Sequence, residues 1–262
     1  MGELEEYYGK YNEEKRLLRS YGRVEYLTTM HYIHEAIGGR QGLKILDVGA
    51  ATGRYTIPLA EEGHEVTAVE LVKYNLGILK QKAEREGLSN VTAMQGNALN
   101  LKKIASDAYD IVLFLGPMYH LFSEAEKVQA LSEAKRVVKP GGRIFTAYVM
   151  NEFGVITHAF KDGFVKEAVR NGKLDADFHI RNTIEDLFSF DRLEDTERYF
   201  QAAGLRREKI ISADGATNYM RETVTDMDAE TFDLFMKYQL STCERMDLMG
   251  AANHTVDILY KE

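Results

Sequence analysis

Short apolar runs alternate with longer stretches of mixed pattern along much of the chain. Leu43–Val48 and Tyr109–Leu115 are apolar enough to read as strands buried on both faces. Glu65–Glu70, Val91–Gln95 and Arg143–Val149 read as further strands. Between them, Tyr55–Glu62 and Lys73–Glu86 carry helical spacing, the second with Leu76, Leu79 and Ala83 on one face and a stop at Gly87. Ser123 with Glu126 three residues on forms a capping box, and Val128, Leu131, Lys135 and Val138 follow at helical intervals. Pro140-Gly141-Gly142 then predicts a turn. Strand and helix alternating through residue 149 imply a parallel sheet with helices on both faces.

The flanks differ. Residues 3–36 have a helical, tyrosine-rich pattern that ends at Gly38-Gly39. Residues 150–185 lose the alternation and mix phenylalanines, His158 and His179 with charges, as expected of an insertion over one end of the sheet. Arg192–Ala203 reads as a helix capped by Asp191 and ended by Gly204. Arg207–Ser212 and Thr255–Tyr260 read as strands, with helical Glu230–Leu248 between them.

Composition narrows the function classes. The 262 residues suffice for one large α/β domain, with 45% apolar and 28% charged residues. Thirty-three basic against 41 acidic residues leave a net charge of −8, which argues against a sequence-tolerant nucleic-acid binder. Cys243, the single cysteine, can form neither an internal disulfide nor a multi-cysteine zinc site, and no metal site is expected. The start of the chain is acidic, unlike a signal peptide, and the apolar stretch Ile111–Phe122 is broken and too short to span a bilayer. The expectation is a cytoplasmic protein without a membrane partner.

Residues 44–56 carry the most chemistry. A strand ends in Asp47, the small-residue loop Gly49-Ala50-Ala51-Thr52-Gly53 follows, and after a helix the second strand ends in Glu70. This is the first half of a nucleotide-binding βαβ unit, whose ligands lie beyond the carboxyl ends of the strands. A dinucleotide site would need Gly-x-Gly-x-x-Gly, but the frame is Gly49-x-Ala51-x-x-Arg54; a Walker loop would need Lys after Gly53. Asp47 would repel a phosphate and suit a cation. Glu70 can accept both hydroxyl hydrogens of a ribose.

Asp47-Val48-Gly49-Ala50-Ala51-Thr52-Gly53 resembles the first motif of the class I S-adenosylmethionine (SAM) dependent methyltransferases, with Ala51 in place of the middle glycine. Glu70 stands where that family has its ribose acid. Gly96-Asn97-Ala98 stands where it often has Gly-Asp-Ala against the adenine. Tyr109–Val112, Leu115–Leu121 and Arg136–Gly142 resemble its fourth strand, the loop after it and the next helix-turn. The resemblance covers residues 43–149 and implies a three-layer Rossmann-like fold: a seven-stranded, mostly parallel sheet whose last strand is antiparallel, plus a helical lid and insertion. It implies a cofactor, SAM, held by Asp47, Gly49, Ala51, Gly53, Glu70, Leu71, Asn97, Ala98 and Leu115. It further implies an N-terminal lid in which Tyr11, Arg19 and Arg23 face the methionine portion, one arginine pairing with its carboxylate; a solvated helix face is the alternative for each.

The acceptor is less legible. The loop Gly116-Pro117-Met118-Tyr119 lacks the polar residue that holds a nucleobase amino group, no cysteine lies where cytosine methylation needs one, and residues 111–122 hold no carboxylate for a magnesium ion. What remains is a small-molecule O-, N- or S-methyltransferase. An RNA or protein methyltransferase, and a non-catalytic SAM- or nucleotide-binding regulator, are the rivals. His120 is the candidate general base and Tyr119 the candidate orienting group; alternatively both line the cofactor pocket. One methyltransferase domain is expected: 1–38 as lid, 43–149 as cofactor core, 150–190 as cap, and 191–262 completing the sheet.

Overall fold

The computed structural model describes residues 20–262. Among them, β1 (Lys44–Val48), β2 (Glu65–Glu70), β3 (Val91–Gln95), β4 (Tyr109–Phe114), β5 (Val138–Val149), β6 (Arg206–Ser212) and β7 (His254–Tyr260) form one sheet in the order β3-β2-β1-β4-β5-β7-β6. β1 to β5 pair in parallel, and β7 lies antiparallel between β5 and β6. The strand order reverses between β1 and β4, the usual place for a ligand crevice.

Side-chain alternation sends each central strand into two cores. Leu46, Val48, Val112 and Phe114 face one layer, where α4 (Glu124–Val137) and α5 (Leu193–Ala202) contribute Leu131, Ala134 and Phe200. Ile45, Ile111 and Leu113 face the other, against Ile33 and Ile37 of α1 (Ser20–Ile37) and Leu59 of α2 (Thr56–Glu61). α3 (Lys73–Arg85) covers the edge of that layer through Leu79. α1 also packs through Val24 on Val224 and on Phe232 of α6 (Ala229–Thr242). Residues 151–170 form short helical segments, one of them the π-helical Val155–Lys161.

Three local expectations are revised. The Pro140-Gly141-Gly142 turn lies inside β5: pairing with β4 jumps from Tyr109–Val138 to Ile111–Arg143, so the turn is absorbed as a bulge. The helical pattern of Glu230–Leu248 ends at Thr242 and resumes as one turn at Met246–Met249. Asp191 does not cap α5. Its carboxylate is buried in an ion pair with Lys127 and accepts the Tyr199 hydroxyl at 2.9 Å. The cap shifts one residue: Asp195 accepts the Arg192 amide at 2.7 Å. The Ser123–Glu126 capping box forms as expected.

Candidate functional site

The loop after β1 turns on left-handed backbone. Gly49 has φ +75°, and a Cβ there would lie 2.9 Å from the Pro117 ring, so only glycine lets β1 and the loop after β4 approach this closely. Ala51 also has positive φ, +45°. What holds it is Glu70, whose Oε2 accepts the Ala51 amide at 2.8 Å while Oε1 accepts the Val72 amide at 2.7 Å. Each oxygen keeps a further lone pair for a ribose hydroxyl. Burial raises the Glu70 carboxyl above its usual range, against the opposing pull of these amides.

Asp47 is fully buried at the end of β1. Burial pushes its carboxyl up to about 6, despite the Thr56 hydroxyl donating to Oδ2 at 2.6 Å, and the nearby Glu70 charge adds to the rise. Two buried carboxylates side by side are short of positive charge. A cationic ligand relieves that strain, and a pyrophosphate worsens it.

These groups line a cavity of about 290 Å³ at the carboxyl edge of the sheet. Of the residues expected from sequence, Asp47, Gly49, Ala51, Glu70, Leu71, Asn97, Ala98, Leu115, Tyr119 and His120 line it. Gly53 does not: its amide closes the loop onto Ala50 O at 2.8 Å, and its Cα faces Leu79 and Ile57. Asn97 uses Oδ1 to accept the Leu99 amide at 2.9 Å, which orients the side chain at the cavity edge. Tyr11 and Arg19 lie outside the described residues. Arg23 is exposed and stacks on Phe232, with its guanidinium carbon 4.8 Å from the ring centroid, away from the cavity wall.

Residues that sequence reasoning missed complete the wall. Arg54 lies over the Tyr26 ring at 3.8 Å, and its buried Nε has no hydrogen-bond partner among the described residues. Its place directly after Gly53 was a usable signal. Glu25, on α1, and Asn75, on α3, had none, since each looks like an ordinary polar position on a helix.

His120 differs from a general base. Its Nδ1 meets Leu187 O at 2.9 Å, its ring packs on Tyr119 and Phe188, and burial pushes it down to about 4. So weak a base takes protons poorly near neutrality. The geometry makes it part of the wall that fixes Tyr119 and Phe188.

Residues 45–142 match the family described as a methyltransferase domain. The chain is 30% identical over 116 residues to a ubiquinone biosynthesis O-methyltransferase of Acinetobacter baylyi, covering 44% of this chain and 48% of that protein. It is 34% identical over 108 residues to a demethylmenaquinone methyltransferase of Bacillus velezensis, covering 40% and 45%. The chain thus matches about half the length of these curated relatives. A solved SAM-dependent methyltransferase of Methanosarcina mazei superposes with a TM-score of 0.59 over 88% of this chain and 96% of that one, at 13% identity, a likeness of fold alone. Among the described residues no helix is long and apolar enough to cross a membrane.

Proposed function

We propose that this chain, whose core is that of a class I SAM-dependent methyltransferase, transfers a methyl group from SAM to a small-molecule acceptor at oxygen, nitrogen or sulfur. The observation that carries the reading is the pair of buried carboxylates, Asp47 and Glu70, around a loop with no phosphate-gripping feature. SAM supplies an electrophilic methyl group on a positively charged sulfur. The residues present fit it: Glu70 for the ribose hydroxyls, Asn97 and Ala98 beside the base, Asp47 for the positive charge of the methionine portion. Arg54, whose buried Nε has no hydrogen-bond partner among the described residues, takes over the carboxylate role first assigned to Arg19 or Arg23.

The protein's part in such a transfer is to hold two reactants in line and keep water out. Tyr119 and His120 then act as wall and orienting groups beside the acceptor. In this reading residues 1–38 form a lid, 43–149 the cofactor core and 150–190 a cap; α1 supports it by contributing Glu25 to the cavity wall. A cytoplasmic location and a small-molecule partner belong to the same reading, supported by the acidic net charge and the single cysteine. The test is a metabolite extract incubated with the protein and methyl-labelled SAM, with mass spectrometry of what gains label. Calorimetric SAM binding without labelled product would reduce the reading to a binding protein.

A further inference from the structure

Three side chains able to ligate a metal converge beside the crevice from three parts of the chain. Glu25 belongs to α1, Asp214 follows β6 by two residues, and His254 begins β7. Glu25 lines the cavity, and the His254 ring lies 6.5 Å from the ring of Tyr119, which lines it too. The three side chains are largely buried, at 17%, 1% and 12% exposure in that order. Their ligating atoms all lie within 4.8 Å of one another.

Both carboxylates address one nitrogen. His254 Nδ1 is 2.8 Å from Asp214 Oδ2 and 3.5 Å from Glu25 Oε2. A single N–H serves one of them, and Asp214 is the nearer. The Asn253 side-chain amide also reaches Nδ1, at 3.1 Å. When that amide donates, Nδ1 carries no hydrogen and its lone pair faces two carboxylates. In either state of the ring, Nδ1 has no hydrogen for Glu25.

The surroundings hold these atoms in place. Asp214 Oδ1 accepts the backbone amides of Asn253 and His254, each at 3.1 Å, and Oδ2 accepts the Asn218 side-chain amide at 2.7 Å. Oδ1 is then full, while Oδ2 keeps one lone pair for the imidazole side. Outer partners of this kind orient ligands around bound metals. Two buried hydroxyls add oxygen nearby. Thr28 stands one helical turn after Glu25, and Thr217 stands three residues after Asp214, in a turn on which α1 packs. Neither hydroxyl has a hydrogen-bond partner among the described residues. A hydrated ion brings water that such groups can bond.

We propose that Glu25 Oε2, Asp214 Oδ2 and His254 Nδ1 bind one divalent transition-metal ion, of the zinc type, at the wall of the crevice. Bonds of about 2.1 Å set ligand atoms about 3.0 Å apart at right angles and about 3.4 Å apart at tetrahedral angles. The two separations from Nδ1, 2.8 and 3.5 Å, already match. The ion takes the place of the Nδ1 hydrogen or of the Asn253 amide and satisfies both carboxylates at once. An imidazole nitrogen with two carboxylate oxygens suits zinc, whereas magnesium prefers oxygen alone. Three protein ligands leave a further position for water. The ion also ties α1, which walls the crevice, to the ends of β6 and β7.

The test uses the full chain, stripped with a chelator and titrated calorimetrically with Zn²⁺ and, separately, with Mg²⁺. One Zn²⁺ should bind per chain, about 10²-fold or more tightly than Mg²⁺. Zn²⁺ should also raise the unfolding temperature, because it joins α1 to the sheet. Glu25→Gln and His254→Gln should each weaken Zn²⁺ binding by about 10²-fold or more and cancel the thermal shift. His158→Gln, whose exposed imidazole lies beside Asp162, should bind as wild type does. Circular dichroism checks the fold of each variant, and the conservative Glu25→Gln keeps the test open should His254→Gln not fold. A wild type that binds no Zn²⁺ would overturn the proposal. So would wild-type binding in either the Glu25 or the His254 variant, which would put the ion on other residues. Mg²⁺ binding as tight as Zn²⁺ would overturn it too, by removing the imidazole from the ligand set. SAM takes no part in these measurements, so their outcome is independent of the methyltransferase reading.

Discussion

The Glu70 carboxylate holds Ala51 in left-handed backbone by accepting its amide at 2.8 Å, so the acid that ends β2 also shapes the loop that ends β1. Glu70→Ala removes both the shaping bond and the ribose acceptor. Hydrogen bonds to a charged group contribute about 1.5–3 kcal/mol each. SAM affinity should therefore drop roughly 10²-fold or more by calorimetry. An unchanged dissociation constant would remove Glu70 from the site.

Asp47 sets a pH dependence. Burial pushes its carboxyl up to about 6, and only the ionised form attracts a cation. Raising the pH through 6 ionises it, so SAM binding should tighten with rising pH and level off above neutrality. The Asp47→Asn variant should bind weakly and show no such slope. A wild-type affinity flat across this range would contradict the burial argument.

Arg54 and Arg23 separate two versions of the methionine end. Arg54→Leu should weaken SAM binding on the order of tenfold to a hundredfold, the worth of a charge-assisted pair in a partly buried site. Arg23→Ala should leave it nearly unchanged, because that side chain stacks on Phe232 outside the cavity wall. The opposite ranking in a titration would restore the first assignment.

His120 bears on acid stability. Its folded-state value, about 4, lies below the usual imidazole value of about 6.5. Between these the unfolded chain binds the proton and the folded chain does not. Its contribution to stability is therefore intact above about pH 6.5 and is lost as pH falls toward 4. Urea titrations at several pH values should show the wild type losing stability over this window more steeply than His120→Gln. In NMR spectra the His120 ring should stay neutral at pH 6.

Lys127 and Asp191 form a buried ion pair, each side chain 1% exposed. Lys127→Met strands the Asp191 charge, a loss of about 3–5 kcal/mol. Thermal unfolding should show Tm falling by roughly 10 °C. The double variant Lys127→Met with Asp191→Leu should recover part of that loss, and a double variant no better than the single one would contradict the account.

The sequence by itself determined the strand, loop and acid pattern from Lys44 to Glu70, the capping box at Ser123 and the alternation that builds the parallel sheet. These are governed by neighbours a few residues apart: a glycine where φ must be positive, an acid at a strand end, a hydroxyl three residues before a glutamate. Tertiary structure alone decided what distance in sequence hides. Lys127 claims Asp191 for a core ion pair, so the cap of α5 moves to Asp195. Burial strips His120 of basicity, and Phe232 draws Arg23 away from the crevice. Glu25 within α1, Asp214 two residues after β6 and His254 at the start of β7 come together only in the folded chain. No short-range pattern encodes that meeting: a lone charge on a helix face reads the same whether it faces solvent or a histidine more than two hundred residues further along the chain.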